Sequence, residues 1–455
     1  MSKKTYSFSV FILILSFNFY MLNADVWVYP GASENLKSEK YYVRIIQEDN
    51  VYESFVYRNQ NTNTNNSGQL TNCNHWTNFS FNDDIIVEIT KLFGDPIRFC
   101  IVRPKETRIK PEVSGHVMRI KLTKPQKLFI EINEAEEDPL FIFANPPEPE
   151  NNYYSDTSVV YFSQGIHDIG ENYIVRDKNV YIEGGALVRG TLLLLGNKNI
   201  SVTGRGIISG INSENNLIQS KLIDFKGTAE NYKIEGLTLV DFDNFNIYSE
   251  KKVDVSNVKI FGWSEDSKGI KVGDSSNVRD CFFKVDNDII TINNSGITVN
   301  NCVIWQQHSG APFQFTCYKR SLIENIKILN NDIVRIDLFN DSIWTSDKTI
   351  INCLELNQSI INNVLIEDLR IEGNVHRLLG LNTGVGGLIK GIELKDINIE
   401  GVLDSENFIS AENGSVVNIF FNNVEANYMK ITNEYDAFIE KRGNVSDIKF
   451  TWKNY

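Results

Sequence analysis

Between Ser264 and Ser309 the sequence gathers carboxylates, amides and an imidazole at recurring positions: Glu265, Asp266, Lys268, Asp286, Asn287, Asp288, Trp305, Gln307 and His308. Clustered carboxylates beside Trp and His suit sugar binding or glycosidic cleavage. Cleavage needs one protonated carboxyl and a second carboxylate that acts as base or nucleophile. Asp and Asn also cap turns through their own side chains, so a purely structural reading stands beside the chemical one.

The elements that must position these residues are set by a repeat: aliphatic, any, Gly/Asn/Asp, apolar, any, apolar. It begins Ile234-Glu235-Gly236-Leu237, Val255-Ser256-Asn257-Val258, Val278-Arg279-Asp280-Cys281 and Val299-Asn300-Asn301-Cys302. It returns around Asn325, Asp368, Asp396, Asn418 and Asp447. The apolar fourth positions are separated by 21, 23, 21, 24, 43, 28, 22 and 29 residues, and 43 reads as two steps of 21 to 22. Such a period marks a solenoid. Apolar residues two apart share one face of a strand. Gly, Asn and Asp tolerate a left-handed backbone, so the third position reads as a tight bend between two strands. A strand, a bend and a second strand, repeated, describe a parallel β-helix. The Leu-x-x-Leu-x-Leu consensus of leucine-rich repeats is absent, and propeller blades are nearly twice as long.

Successive coils stack about 4.8 Å apart, which gives a long rigid groove along one face. Counted from the repeat, Ser264, Asn287 and His308 fall six after the fourth position, and Glu265, Asp288 and Ser309 seven after. With turns of equal length these project from one sector of three adjacent coils. Inverting cleavage wants carboxyls roughly 6.5–9.5 Å apart. Directly stacked Glu265 and Asp288 would be nearer 4.8 Å. A diagonal pair, Asp266 with Asp286 or Asp288, fits better. Asp286 and Asp288 would share a strand face.

Residues 261–318 resemble glycoside hydrolase family 49, the dextranase and isopullulanase family, which is related to the polygalacturonases of family 28. The matching segments are Val285-Asp286-Asn287-Asp288-Ile289-Ile290, Asn300 to His308, and Gln314-Phe315. Upstream, residues 181–190 and 203–210 are similar to that family too. The resemblance implies an inverting hydrolase of α-linked glucans, with an N-terminal β-sandwich before a right-handed β-helix. It implies three catalytic Asp residues, one in a Thr-Asp-Gly motif and two in an Asp-Asp pair. Here the first motif reads Ser267-Lys268-Gly269 and the pair reads Asn287-Asp288. Only Asp288 matches. Asn cannot donate a carboxyl proton, and that loss alone should cost orders of magnitude in rate. Asp286 or Asp266 could take the acid role, with Asp288 as base. A cation at Lys268 favours the ionised form of its neighbours and hinders such an acid. Glu265, Lys268, Asn287, Trp305, His308 and Gln314 are the expected sugar contacts. The competing expectation is a carbohydrate-binding protein that no longer cleaves; polygalacturonase-like activity and a structural adhesin are weaker alternatives.

The chain of 455 residues carries a net charge of -13. That disfavours nucleic acid and anionic membranes, which recruit basic surfaces. The expected partner is a polysaccharide, with no membrane contact once the leader is removed. Lys3 and Lys4 before an apolar run from Phe8 to Leu22 read as a secretory signal over residues 1–24. Residues 25–144, with short strands separated by Gly, Pro, Asn and Asp, read as a β-sandwich. Residues 145–157, containing Asn145-Pro146-Pro147-Glu148-Pro149, form a linker, and residues 158–455 the β-helix. The fold class is all-β. Eight Asn-x-Ser sequons suit a secreted glycoprotein: Asn65, Asn78, Asn199, Asn293, Asn340, Asn357, Asn413 and Asn444. In an oxidising compartment Cys73 and Cys100 could form a disulfide. Cys281 and Cys302 would stack inside the solenoid, bridged or as small hydrophobes. No metal-ligand spacing or phosphate-binding loop stands out, so no cofactor or metal is expected.

Overall fold

The computed structural model describes residues 26–452, apart from 60–72, 134–137, 150–152, 338–348 and positions 213, 215, 219, 263, 265, 318–319 and 354–355. The expected signal segment, Asn65, Asn340 and Glu265 lie outside the described residues.

Strict alternation makes the first sheet. In Tyr41–Gln47 every second residue is buried, so Tyr41, Val43 and Ile45 enter the core. This strand joins four others in a five-stranded antiparallel sheet. A second sheet, of six strands, packs against it to close the β-sandwich. Two of its strands, His75–Phe81 and Leu140–Asn145, are buried at every position. Alternation is lost there because both faces are covered. Phe79, Leu140 and Ile142 point into the sandwich, while Trp76, Phe141 and Phe143 point at the β-helix.

From Val159 onward, 27 strands form one continuous sheet wound as a parallel β-helix with three faces. Apolar residues stack in register inside it, as in Ile270–Ile290–Phe313–Ile351–Leu379. The bend predicted by the repeat is present at every marked position. Gly236 (φ 86°), Asn257 (53°), Asp280 (55°), Asn301 (53°), Asn325 (59°), Asp368 (55°), Asp396 (53°), Asn418 (58°) and Asp447 (57°) all have positive φ.

The reading of the 43-residue gap as two steps is overturned. Ile326 pairs directly with Val364, one coil of 38 residues. The marked positions belong to two different rows of bends. Asn301, Asn330, Asp368, Asp396 and Asn423 continue the first row. Asn325, Asn363, Gly391, Asn418 and Asp447 form a second row, five residues earlier in each coil. Both rows need the same residue types for the same backbone reason, so the sequence pattern cannot tell them apart. Asn363 (φ 54°) donates from Nδ2 to Asn325 Oδ1 at 2.6 Å. Asn363→Val should therefore cost about 1–2 kcal/mol, since a branched residue pays the left-handed penalty in full. Asn363→Gly should cost less than half of that. Urea denaturation midpoints check this; equal losses would remove the conformational argument.

All six cysteines are free. The expected Cys73–Cys100 disulfide does not form, because Cys73 leads into His75–Phe81, Cys100 opens Cys100–Arg103, and two strands lie between these in the sheet. That puts the backbones about 14 Å apart, well beyond bridging reach. Cys281 and Cys302 stack as buried thiols inside the solenoid. Of the described sequons, Asn199, Asn357, Asn413 and Asn444 are exposed and Asn293 is half-buried. Asn78 is not an available acceptor. It is buried between the domains, donating to the Arg205 carbonyl at 3.0 Å and accepting from Asn145 Nδ2 at 2.5 Å.

The sandwich seats on the second face of the β-helix through an aromatic layer. Trp76, Phe129, Phe141 and Phe143 meet Phe261, Phe282, Trp305 and Val334. Polar pins surround it: Lys284 Nζ donates to Asn74 Oδ1 at 2.7 Å, and Arg103 is paired with Glu372.

Candidate functional site

The motif residues sit where the second face turns into the third. Lys268 opens the strand Lys268–Lys271, and Asn287 and Asp288 precede Ile290–Ile292. Register fixes their neighbours. Phe245 pairs with Lys268, and the Ile270–Ile290 pairing brings Asp288 beside Lys268 on the next coil. The expected equivalence of Ser264, Asn287 and His308 does not hold. Asn287 N–H instead donates to the Ser267 carbonyl at 2.9 Å, and Gly310 packs against Asn287. The turns have unequal lengths, so counting along the chain drifts by two or three residues.

Asp286 is buried in the turn and does not share a strand face with Asp288. Its Oδ1 accepts from His308 Nδ1 at 2.7 Å and its Oδ2 from Ser309 Oγ at 2.9 Å. Its own N–H donates to Ser267 Oγ at 3.1 Å. Asp286 thus clamps one coil's turn to the next, with both of its oxygens engaged. Gln306, which the sequence pattern did not single out, braces the same turn by donating to the carbonyls of Asp286 (3.1 Å) and Asn287 (3.2 Å). Asn287 Oδ1 accepts from the Asp288 N–H at 2.8 Å, a local turn cap. Asp288 Oδ1 accepts from the Ala311 N–H at 3.3 Å. Asp266 is exposed in the preceding turn, and the His308 side chain is 43% exposed.

Trp305 is not a sugar contact. It is 3% exposed, and its ring lies 4.8 Å from Phe129 in the interdomain layer. Its Nε1 donates to Asp337 Oδ2 at 2.8 Å. Outward residues alternate with inward ones on every face, and only the packed domain decides which outward rows stay open. Gln314 is on the third face, but in its buried floor. Its Oε1 accepts from Asn352 Nδ2 at 2.8 Å.

Register adds three residues that sequence reasoning missed. Tyr248, Lys271 and Thr291 lead up to Gln314 along the outer row of the third face. Lys221 Nζ lies 3.2 Å from the centroid of the Tyr248 ring and Lys271 Nζ 4.9 Å from it. Lys268 Nζ lies 5.5 Å from the Phe245 ring. Burial pushes the Lys271 amine below its ordinary range. In sequence each is a lone Tyr or Lys in a strand, with no signal until the coils are aligned. Among the described residues no group of three or more His, Cys, Asp or Glu could hold a metal ion.

What the arrangement offers is the Asp288 carboxylate beside the Lys268 cation, with aromatic rings on the neighbouring coil. Such a set can hold hydroxyls and a ring face.

No family model matches the chain. It is 24% identical to a dextranase of Arthrobacter sp. (strain CB-8) over 231 residues, 44% of this chain and 36% of that protein. It is 25% identical to a dextranase of Talaromyces minioluteus over 230 residues, 42% of this chain and 38% of that one. The match thus spans little more than a third of the length of these curated relatives. The solved structure of Dex49A from Penicillium minioluteum covers 90% of this chain and 95% of its own, with a TM-score of 0.73 and 18% identity. The two share the fold. The resemblance to family 49 drawn from the motifs is supported by these relatives.

Proposed function

We propose that the protein is a secreted, polysaccharide-recognising member of the dextranase lineage, directed at neutral α-glucans, whose inherited inverting cleavage has been lost at the acid position. The observation that carries this reading is the surroundings of Asp288. Asn287 cannot protonate a leaving group, Lys268 replaces the upstream carboxylate, and both oxygens of Asp286 are already engaged. Phe245 and Tyr248 supply ring faces beside these polar groups, which is the composition sugar sites use. Secretion is supported by the leader-like N-terminus and N-glycosylation by the exposed sequons. Among the described residues no helix is long and apolar enough to cross a membrane.

The expected result is retardation of the purified protein in gels containing dextran or pullulan, with no reducing-sugar release from dextran, pullulan or polygalacturonate. Tyr248→Ala should weaken the retardation about tenfold, which corresponds to about 1.4 kcal/mol. Absence of retardation by every polymer would sink the reading.

A working hydrolase is the second reading, favoured by one feature. His308 is exposed, oriented by Asp286, and lies one coil from Asp288. Cleavage abolished by both Asp288→Asn and His308→Gln would establish it.

A further inference from the structure

The last described coil of the β-helix presents an open edge. Ile439–Thr451, a strand of 13 residues, pairs in parallel with Asn407–Asn422 of the coil before it. Among the described residues no strand stands in register with its other edge. The inward row shows the consequence. Val445, Ile448 and Phe450 stack on Val416, Ile419 and Phe421. The earlier three are fully buried, whereas the later three and Ile439 are only half-buried. Large apolar side chains gather on the chain leading into this coil: Tyr428 is 84% exposed, Met429 66%, Tyr435 92% and Phe438 44%. Open edges and solenoid ends of this kind recruit a further strand unless they are blunted. One blunting device is present. Lys441 stands in the inward row over Ile409, but Glu434 Oε2 neutralises it at 2.6 Å.

The order of charges along the strand selects the occupant. Laid antiparallel against a second copy of itself, with Ile439 opposite Phe450, the strand sets Glu440 opposite Lys449 and Arg442 opposite Asp447. Twofold symmetry makes each pairing occur twice. The faces agree as well. Ile439 and Phe450 both belong to the inward row, while Glu440 and Lys449 align with the outward Phe408 and Phe420. The bend at Asp447 (φ 57°) shifts the alternation by one residue, which is what lets an odd position face an even one.

Other registers fail. A slip of one residue turns inward residues outward. A slip of two sets Glu440 opposite Asp447 in one direction and Arg442 opposite Lys449 in the other, and like charges directly opposite are destabilising. Within one chain Arg442 Nε already donates to Glu440 Oε1 at 2.7 Å. Asp447 and Lys449 of a second copy would complete an alternating row of four charges.

We propose that this open edge is a homodimer interface, in which two copies of this chain meet tail to tail about a twofold axis and pair their last coils antiparallel. Each inward row covers the other, so the two apolar cores continue through the junction. The contact is isologous, so it closes at two copies and does not propagate into a fibre. It goes beyond the polysaccharide reading and does not rest on it.

The experiment is sedimentation velocity of the full chain from submicromolar to high micromolar concentration. A reversible dimer is expected, weakened by added salt. Glu440→Lys sets like charges opposite Lys449 at both symmetric places, and Lys449→Glu does the same opposite Glu440. Each alone should weaken dimerisation about tenfold or more. An equimolar mixture of the two variants restores opposite charges at both places, so it should form a heterodimer as tight as the unaltered dimer. The chain carrying both exchanges should dimerise equally well. All four positions concerned are on the surface strand, so melting temperatures of dilute samples should agree, which separates lost pairing from lost folding. A monomer at every concentration overturns the proposal and leaves the edge to a strand of another protein. Single variants that dimerise like the unaltered chain overturn it too, as does a mixture no tighter than either variant alone.

Discussion

Placing Asp at both 268 and 287 is expected to raise dextran hydrolysis about 10²–10⁴-fold over the unaltered protein, the span assigned to a positioned general acid. The turn that would carry the new acid is already rigid. The Asn287 N–H is held by the Ser267 carbonyl, and Gln306 braces the Asp286 and Asn287 carbonyls. A carboxyl at 287 therefore inherits a fixed backbone. The second change matters because of register. Lys268 stands beside Asp288 on the adjacent coil, and a cation there favours ionised carboxyls. An anion at 268 would favour a shared proton instead, which is what an acid partner needs. Reducing-sugar release measured on the single and double variants tests this, and adding Asp288→Asn to the double variant should return it to baseline. Unchanged rates in the double variant, with the fold intact by circular dichroism, would show that the lineage's chemistry is not recoverable at these positions. Release by the unaltered chain would instead direct attention to His308.

The second large effect is on stability. Trp305→Ala should lower the unfolding free energy by about 3–5 kcal/mol, the usual cost of truncating a fully buried aromatic. The ring touches Phe129 and Phe141 across the interface, and Lys284 Nζ lies 4.5 Å over it. Burial pushes the Lys284 amine down to about 8, so the loss opens a polar group to water as well as a void. Dextran retardation per folded molecule should stay unchanged, because Trp305 faces the sandwich. Urea melts and gel retardation below the transition give the two readouts. A tenfold loss of retardation with little loss of stability would return Trp305 to the sugar site.

These two tests mark the border of what was legible in the sequence. The solenoid was legible because its demands are local and repeated. A left-handed bend admits Gly, Asn or Asp, and inward positions admit apolar residues. Where a second bend arose at Asn325 under the same rule, the count slipped, since identical local physics leaves identical marks. Facts that depend on distant packing were not legible. Trp305 and the fully buried strands His75–Phe81 and Leu140–Asn145 owe their burial to the other domain. Asp286 looked like half of a carboxylate pair because the chain was assumed straight where it turns. The Phe245, Tyr248, Lys268 and Lys271 cluster exists only through register between coils.

The aromatic layer has a mechanical consequence. Stacked coils, each touching only its neighbours, tend to come apart one at a time. The sandwich touches Leu187, Ile207, Val240, Phe261, Phe282, Trp305 and Val334, so at least one outward residue on each of seven successive coils. It works as a splint laid lengthwise along the spring, so these coils share one fate. Beyond Val334 the main ties are the Arg103–Glu372 and Lys105–Glu400 ion pairs. Under load or heat, peeling from the C-terminal coils would run to the end of the splint and stop, leaving the turn around Asp288 among the last parts to let go.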